Sequence, residues 1–75
     1  MQPMDSRLLE AAAYYEQMTL LVLAFRSGAV YRYSGVPAST YYELLRSESK
    51  GKYFNAHIRN RYVCIKMPDR QASVE

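Results

Sequence analysis

The sequence predicts an α+β domain: a small three-stranded antiparallel meander followed by two helices on one face of the sheet. Three observations carry that prediction. Residues 19–25, TLLVLAF, are a continuous apolar run rich in β-favouring side chains, and Arg26-Ser27-Gly28 behind them supplies a turn. Val30-Tyr31-Arg32-Tyr33-Ser34 then reads as a further strand, ended by Gly35. After Pro37 the apolar residues recur every three or four positions, the period of a helix lying on a sheet.

Residues 7–17, RLLEAAAYYEQ, fit two descriptions. Leu, Ala and Glu favour a helix that Asp5 or Ser6 would cap. Tyr14-Tyr15 leads straight into the apolar run, which suits a hairpin partner instead. In residues 19–25 both parities are apolar, with Leu21, Leu23 and Phe25 on one side and Leu20, Val22 and Ala24 on the other. A three-residue loop with glycine in the left-handed conformation pairs Phe25 with Ala29, Leu23 with Tyr31 and Leu21 with Tyr33. Tyr31 and Tyr33 then share the Leu21/Leu23/Phe25 face, while Val30 and Arg32 join Leu20, Val22 and Ala24. A two-residue loop would reverse every assignment, because strand side chains alternate.

Pro37 opens the first helix, where its missing N–H costs nothing, and Tyr41, Leu44 and Leu45 make its apolar stripe. Ser49 caps a second helix over residues 52–60. Phe54, Ile58 and Tyr62 fall on its buried stripe, Lys52, Asn55 and Arg59 on its wet face, and Tyr53, His57 and Arg61 on a flank. Residues 63–67 read as a short edge strand or an extended arm. The boundaries expected are a loose end over residues 1–5, one domain over 6–67 and a polar, frayed tail over 68–75.

Composition narrows the class. Seventy-five residues make one small domain, which buries only ~60% of its unfolded surface and so has little stability to spare. One cysteine, Cys64, excludes an internal disulfide framework, and with a single histidine, His57, the chain lacks a transition-metal ligand set. No apolar run reaches the ~18 residues of a membrane span. The N-terminal residues have neither a cationic start nor an apolar core, so a cytoplasmic protein is expected. The net charge of +3 is unevenly placed: residues 49–66 hold five cations (Lys50, Lys52, Arg59, Arg61, Lys66) and no acid. Such a concentration of charge favours anionic partners.

The phrases FRSGAVYRYSGVP (residues 25–37) and SKGKYFNAHIRNRY (residues 49–62) closely resemble the KTSC domain, a short bacterial module found alone and at the C-terminus of some lysyl-tRNA synthetases. Tyr31, Tyr33, Val36, Pro37, Ser49, Gly51 and Phe54 carry the likeness, which spans residues 6–62. Tyr15 and the alanine run depart from the family pattern. The resemblance implies an antiparallel sheet followed by helices and turns residues 7–17 from helix to strand. It also implies a role in RNA binding, with no enzymatic activity.

The residues that bear on function each have two uses. Tyr31 and Tyr33 suit a stacking platform, but in the register above they take the core face. Lys50-Gly51-Lys52 at a helix start suits a phosphate, and equally a glycine break with solvated lysines; it is not a P-loop. Asn55, His57, Arg59 and Arg61 suit a nucleic-acid backbone beside a stacking Tyr53, or an ordinary wet helix face. Cys64, between Val63 and Ile65, reads as a small buried residue. His57 has neither an adjacent acid nor a nucleophile, so neither an enzyme nor a cofactor is expected.

Two functions compete. The first is nucleic-acid binding, most naturally RNA, with Arg32, Lys50, Lys52, Arg59 and Arg61 on phosphates. The second is a protein-interaction or self-association module on the apolar Leu20/Val22/Ala24 face with Val30, because two short helices cover only one side of a sheet.

Overall fold

The computed structural model describes residues 2–67. The chain runs β1 (Gln2–Pro3), β2 (Leu9–Tyr15), β3 (Leu20–Phe25), β4 (Val30–Ser34), α1 (Ala38–Arg46), α2 (Lys50–His57) and β5 (Val63–Lys66). The strands form one antiparallel sheet in sequence order. The α+β class holds, with five strands in place of the three expected. The tail expected over residues 68–75 lies outside the described residues.

The β3–β4 hairpin takes the three-residue loop. Leu23 pairs with Tyr31 and Leu21 with Tyr33, and the Phe25 N–H donates to the Ala29 carbonyl at 2.8 Å. Gly28 sits at φ 100°, a conformation closed to most side chains. Residues 7–17 form a strand and a short 3-10 turn, so tertiary pairing overrides their helix propensity. Glu10 is the extra residue of a bulge between Leu9↔Phe25 and Ala11↔Ala24. The bulge puts Leu9 and Ala12, three residues apart, on the same buried face.

The two strands beyond the expected three are the edges: residues 63–67, read as a short edge strand or an extended arm, contain the strand β5, and residues 2–3, expected as a loose end, form β1. Gln2 and Pro3 pair with Ala12 and Ala11, and Met4 enters the core, so the expected loose end belongs to the sheet. Arg26 holds it there, donating from Nε to the Ser6 carbonyl and from Nη2 to the Met4 carbonyl, each at 2.9 Å. At the other edge β5 pairs with β4, Tyr33 opposite Cys64 and Tyr31 opposite Lys66.

Both helices lie on one face. Leu44 of α1 and Phe54 and Ile58 beside α2 join Leu9, Ala12, Leu21, Leu23, Phe25 and Tyr33 in a single core. Pro37 precedes α1 as its N-cap, and Val36 before it is fully buried. The Tyr14 hydroxyl donates to the Val36 carbonyl at 2.6 Å, and the Tyr14 ring stacks on Tyr41 at 5.1 Å. Ser49 caps α2 by accepting from the Lys52 N–H at 3.3 Å. That helix starts two residues earlier and stops three earlier than its sequence pattern indicated, since Asn60 turns left-handed at φ 61°.

Candidate functional site

Two neighbouring hollows flank α2. The larger is a cleft of about 550 Å³ between α2 and the β4–β5 edge. Phe25, Tyr31, Tyr33, Phe54 and Tyr62 give it aromatic walls, and Asn55, Arg59, Asn60 and Cys64 its polar groups. Strand alternation turns both tyrosines of the Tyr-x-Tyr motif toward this side. Their rings are held edge-on: Phe25 meets Tyr31 at 83° and 5.6 Å, and Phe54 meets Tyr33 at 77° and 5.9 Å. Such T-shaped contacts fix ring orientation as well as bury area. Tyr33 is buried and Tyr31 half-buried, so the core reading describes Tyr33, while Tyr31 keeps an edge in the cleft.

Electrostatically the cleft is unusual for its lack of acids. Arg59 is the cation among its lining residues, and none of them carries a carboxylate. Burial, and then the neighbouring Cys64 thiol, hold the Tyr33 hydroxyl well above its ordinary pKa, while the Arg59 charge acts in the opposite sense.

The smaller hollow, about 430 Å³, lies at the start of α2 and is bordered by Lys50, Gly51 and Lys52 together with Arg7, Asp5 and Glu48. Leu8 and Asn55 border both hollows, so the two lie side by side along the groove side of α2. Lys50 is already engaged, its Nζ donating to the Ser47 carbonyl at 3.1 Å beyond the end of α1. Asp5 and Glu48, distant or outside the basic stretch in sequence, dilute the positive charge that residues 49–66 suggested.

The structure thus divides the sequence-derived site residues. Lys52 and Asn55 on α2 and Arg59 just past its end follow one another along the groove side, with Lys50 at the start. Tyr53 and His57 occupy another flank, their rings 4.5 Å apart. There the Tyr53 hydroxyl donates to Glu43 Oε1 at 2.8 Å, and burial followed by that hydrogen bond and charge pushes its pKa up to about 12. Arg61 turns back to the Ala56 carbonyl at 3.3 Å. Arg32 lies on the opposite face of the sheet, between Val22 and Ile65. Cys64, expected buried, is exposed at the cleft mouth, because among the described residues β5 is an edge strand and no helix covers it. Leu8, Asn60 and Tyr62 were not singled out as site residues; their only signal is proximity to the motif residues after folding.

Among the described residues no helix is long and apolar enough to cross a membrane, and no three potential ligands gather to hold a metal ion.

A sheet of this order with its two helices on one side, a Tyr-x-Tyr strand facing them and a serine-capped second helix match a known family. The chain belongs to the KTSC domain family, whose profile matches residues 5–62. It is 37% identical over 65 residues to a protein of Tsukamurella paurometabola, covering 87% of this chain and 97% of that one. It is 43% identical over 58 residues to a lysine–tRNA ligase of Nostoc punctiforme, covering 77% of this chain but 10% of the ligase. The crystal structure of a KTSC domain protein from Yersinia pestis superposes with a TM-score of 0.87 at 28% identity, covering 89% of this chain and 94% of the other. The family's motif residues are chiefly structural here: Val36 and Phe54 are buried, Pro37 and Ser49 cap helices, and Gly51 packs beside Leu8.

Proposed function

We propose that this protein binds single-stranded RNA along the α2 groove. One observation carries the reading: an aromatic cleft without acids opens beside a stripe of Lys52, Asn55 and Arg59. A base enters the cleft and stacks on the half-buried ring of Tyr31, while Arg59 and Lys52 take phosphates on either side. Each base stacked on an aromatic ring contributes ~1–3 kcal/mol irrespective of its identity, and phosphate contacts add a salt-dependent term. The Nostoc punctiforme relative supports the choice of RNA, since its name places a tRNA among its substrates. Tyr53 is better understood as a tie between the helices than as the stacking residue, because Glu43 holds its hydroxyl.

The test is titration of labelled single-stranded RNA, duplex RNA and a tRNA at several salt concentrations. Wild type should prefer unpaired RNA. Arg59→Ala and Lys52→Ala should each weaken binding and reduce the salt slope by about one. These positions are exposed and therefore safe for folding, unlike Lys50. Binding that ignores salt, or is unchanged in both variants, overturns the reading.

A second reading is a protein-interaction module on the Leu20/Val22/Ala24/Val30 face, where Leu20 is buried and Val22, Ala24 and Val30 are half-buried. Tyr15, Val63 and Ile65 are 51%, 70% and 56% exposed and extend the same face.

A further inference from the structure

β5 is the outermost strand, and among the described residues it is paired on one side only. The direction of its main-chain groups follows from the ladder. The Met67 N–H donates to the Val30 carbonyl at 2.8 Å, and Met67 continues the register in which Lys66 faces Tyr31 and Ile65 faces Arg32. Bonded and non-bonded pairs alternate in an antiparallel ladder. The N–H and C=O groups of Val63, Ile65 and Met67 therefore turn inward to β4, and those of Cys64 and Lys66 turn outward to the free edge. A row of outward groups is a template for another strand.

We propose that two copies of this chain pair antiparallel along β5, Cys64 of each opposite Lys66 of the other, with the two Ile65 side chains meeting on the two-fold axis. The spacing selects a second copy. Outward groups two residues apart, at Cys64 and Lys66, are satisfied completely by the same strand turned about Ile65, giving four N–H···O=C bonds. That is the self-complementarity a two-fold interface requires. Charge selects the register. An axis on Lys66 would set two ammonium groups directly opposite one another, which is unfavourable. An axis on Cys64 would bring Lys66 against Tyr62, which lies outside the strand. At Ile65 the pair is of the close, non-bonded kind, so two exposed isoleucines cover each other on the open face of the sheet.

The pairing changes the cleft. Cys64 lines it, so Lys66 of the second copy arrives beside each cleft, its Cα about 5.5 Å from that of Cys64. A cleft whose own cation is Arg59 thereby gains another from its copy. The pairing stands whether or not RNA is the ligand, and the measurements below involve no nucleic acid.

The experiment is the mass in solution of the full chain over a concentration series, wild type beside Cys64→Pro. Proline at this position removes only an outward N–H, which edge strands tolerate, and leaves the bonds to β4 in place. Wild type should approach twice the monomer mass as concentration rises, while Cys64→Pro stays monomeric with an unchanged circular dichroism spectrum. A second arm does not depend on proline: the double variant Cys64→Ser/Ile65→Cys, oxidised under the same conditions, should form an intermolecular disulfide. The Cα separation of about 4.5 Å at a non-bonded pair lies within the disulfide range of about 4.4–6.8 Å. Wild type that remains monomeric throughout overturns the proposal. So does a dimer that survives Cys64→Pro, or one that crosslinks through the native Cys64 and not through position 65. Should Cys64→Pro fail to fold, the crosslink decides.

Discussion

The two faces of the sheet are made of similar side chains and end in different states. Toward the helices, Leu9, Leu21 and Leu23 are fully buried. On the other side Val22, Ala24 and Val30 are half-buried, and Leu20 is the residue of that face's β3 row that is buried. Hydrophobicity does not separate the two sets; cover does. The helices α1 and α2 are short, and they send Leu44, Phe54 and Ile58 to one side of the sheet. An apolar run therefore identifies a strand, but whether its side chains serve stability or contact is decided by elements elsewhere in the chain.

The sharpest form of this comparison uses two adjacent residues of one strand. Leu23→Ala should destabilise the protein by about 2–5 kcal/mol, since it opens a cavity between Ala12, Tyr31 and the helices. Val22→Ala, between Ala13 and Arg32 on the open face, should cost less than about 1 kcal/mol. Urea unfolding with the slope monitored separates the two. Equal losses would mean that the open face is covered in solution, and the distinction between the faces would collapse.

A second pair of neighbours tests the same contrast with a hydrogen bond. Tyr14 and Tyr15 alternate across the sheet, and only Tyr14 reaches the helix side, where its hydroxyl donates to the Val36 carbonyl at 2.6 Å. Tyr14→Phe should cost about 0.5–1.5 kcal/mol, toward the upper end because Val36 is fully buried. Tyr15→Phe, at a residue 51% exposed, should change stability by less than about 0.5 kcal/mol. Thermal or urea unfolding of the two variants side by side gives the answer, and a larger effect at Tyr15 would reverse the assignment of faces.

The contrast also explains what the sequence disclosed. The hairpin register was legible because Gly28 fixes a loop length and the loop length fixes every pairing in β3 and β4. The helix stripes were legible because Tyr41, Leu44 and Leu45, and then Phe54 and Ile58, recur at helical spacing beside a proline and a capping serine. Of the edge strands, residues 63–67 read as a strand or an extended arm, and the N-terminal one does not read as a strand at all. Gln2-Pro3 has no β pattern and pairs because β2 offers a free edge that Arg26 helps to close. The candidate site was legible in part. The basic stretch pointed to α2, but side-chain direction on the helix divided Lys52 and Asn55 from Tyr53 and His57, and Arg59 lies past the helix end. Of the acids that temper the lysines, Glu48 stands one residue before the basic stretch, and Asp5 reaches it only through the fold.

That division within α2 yields the smallest predicted effect. Tyr53 lies on the flank away from the groove, where burial and Glu43 raise its hydroxyl from an ordinary value near 10.0 to about 12. The folded chain therefore holds this proton more tightly than the unfolded chain. Below pH ~10 both states are protonated and the contribution is complete; between about pH 10 and 12 the unfolded chain ionises first, so stability falls as pH rises. The side chain is only partly buried, so solvent screening keeps the effect modest. Tyr33, Tyr14 and Tyr41 are displaced in the same direction and contribute their own alkaline losses. Tyr53→Phe should consequently make the decline over this window shallower without abolishing it, as measured by urea midpoints at stepped pH. Glu43→Gln should flatten it partway, because it removes the repelling charge but not the burial. Identical alkaline profiles for wild type and Tyr53→Phe would mean that Glu43 does not hold the hydroxyl, and Tyr53 would then be as free to meet a ligand as the residues of the groove.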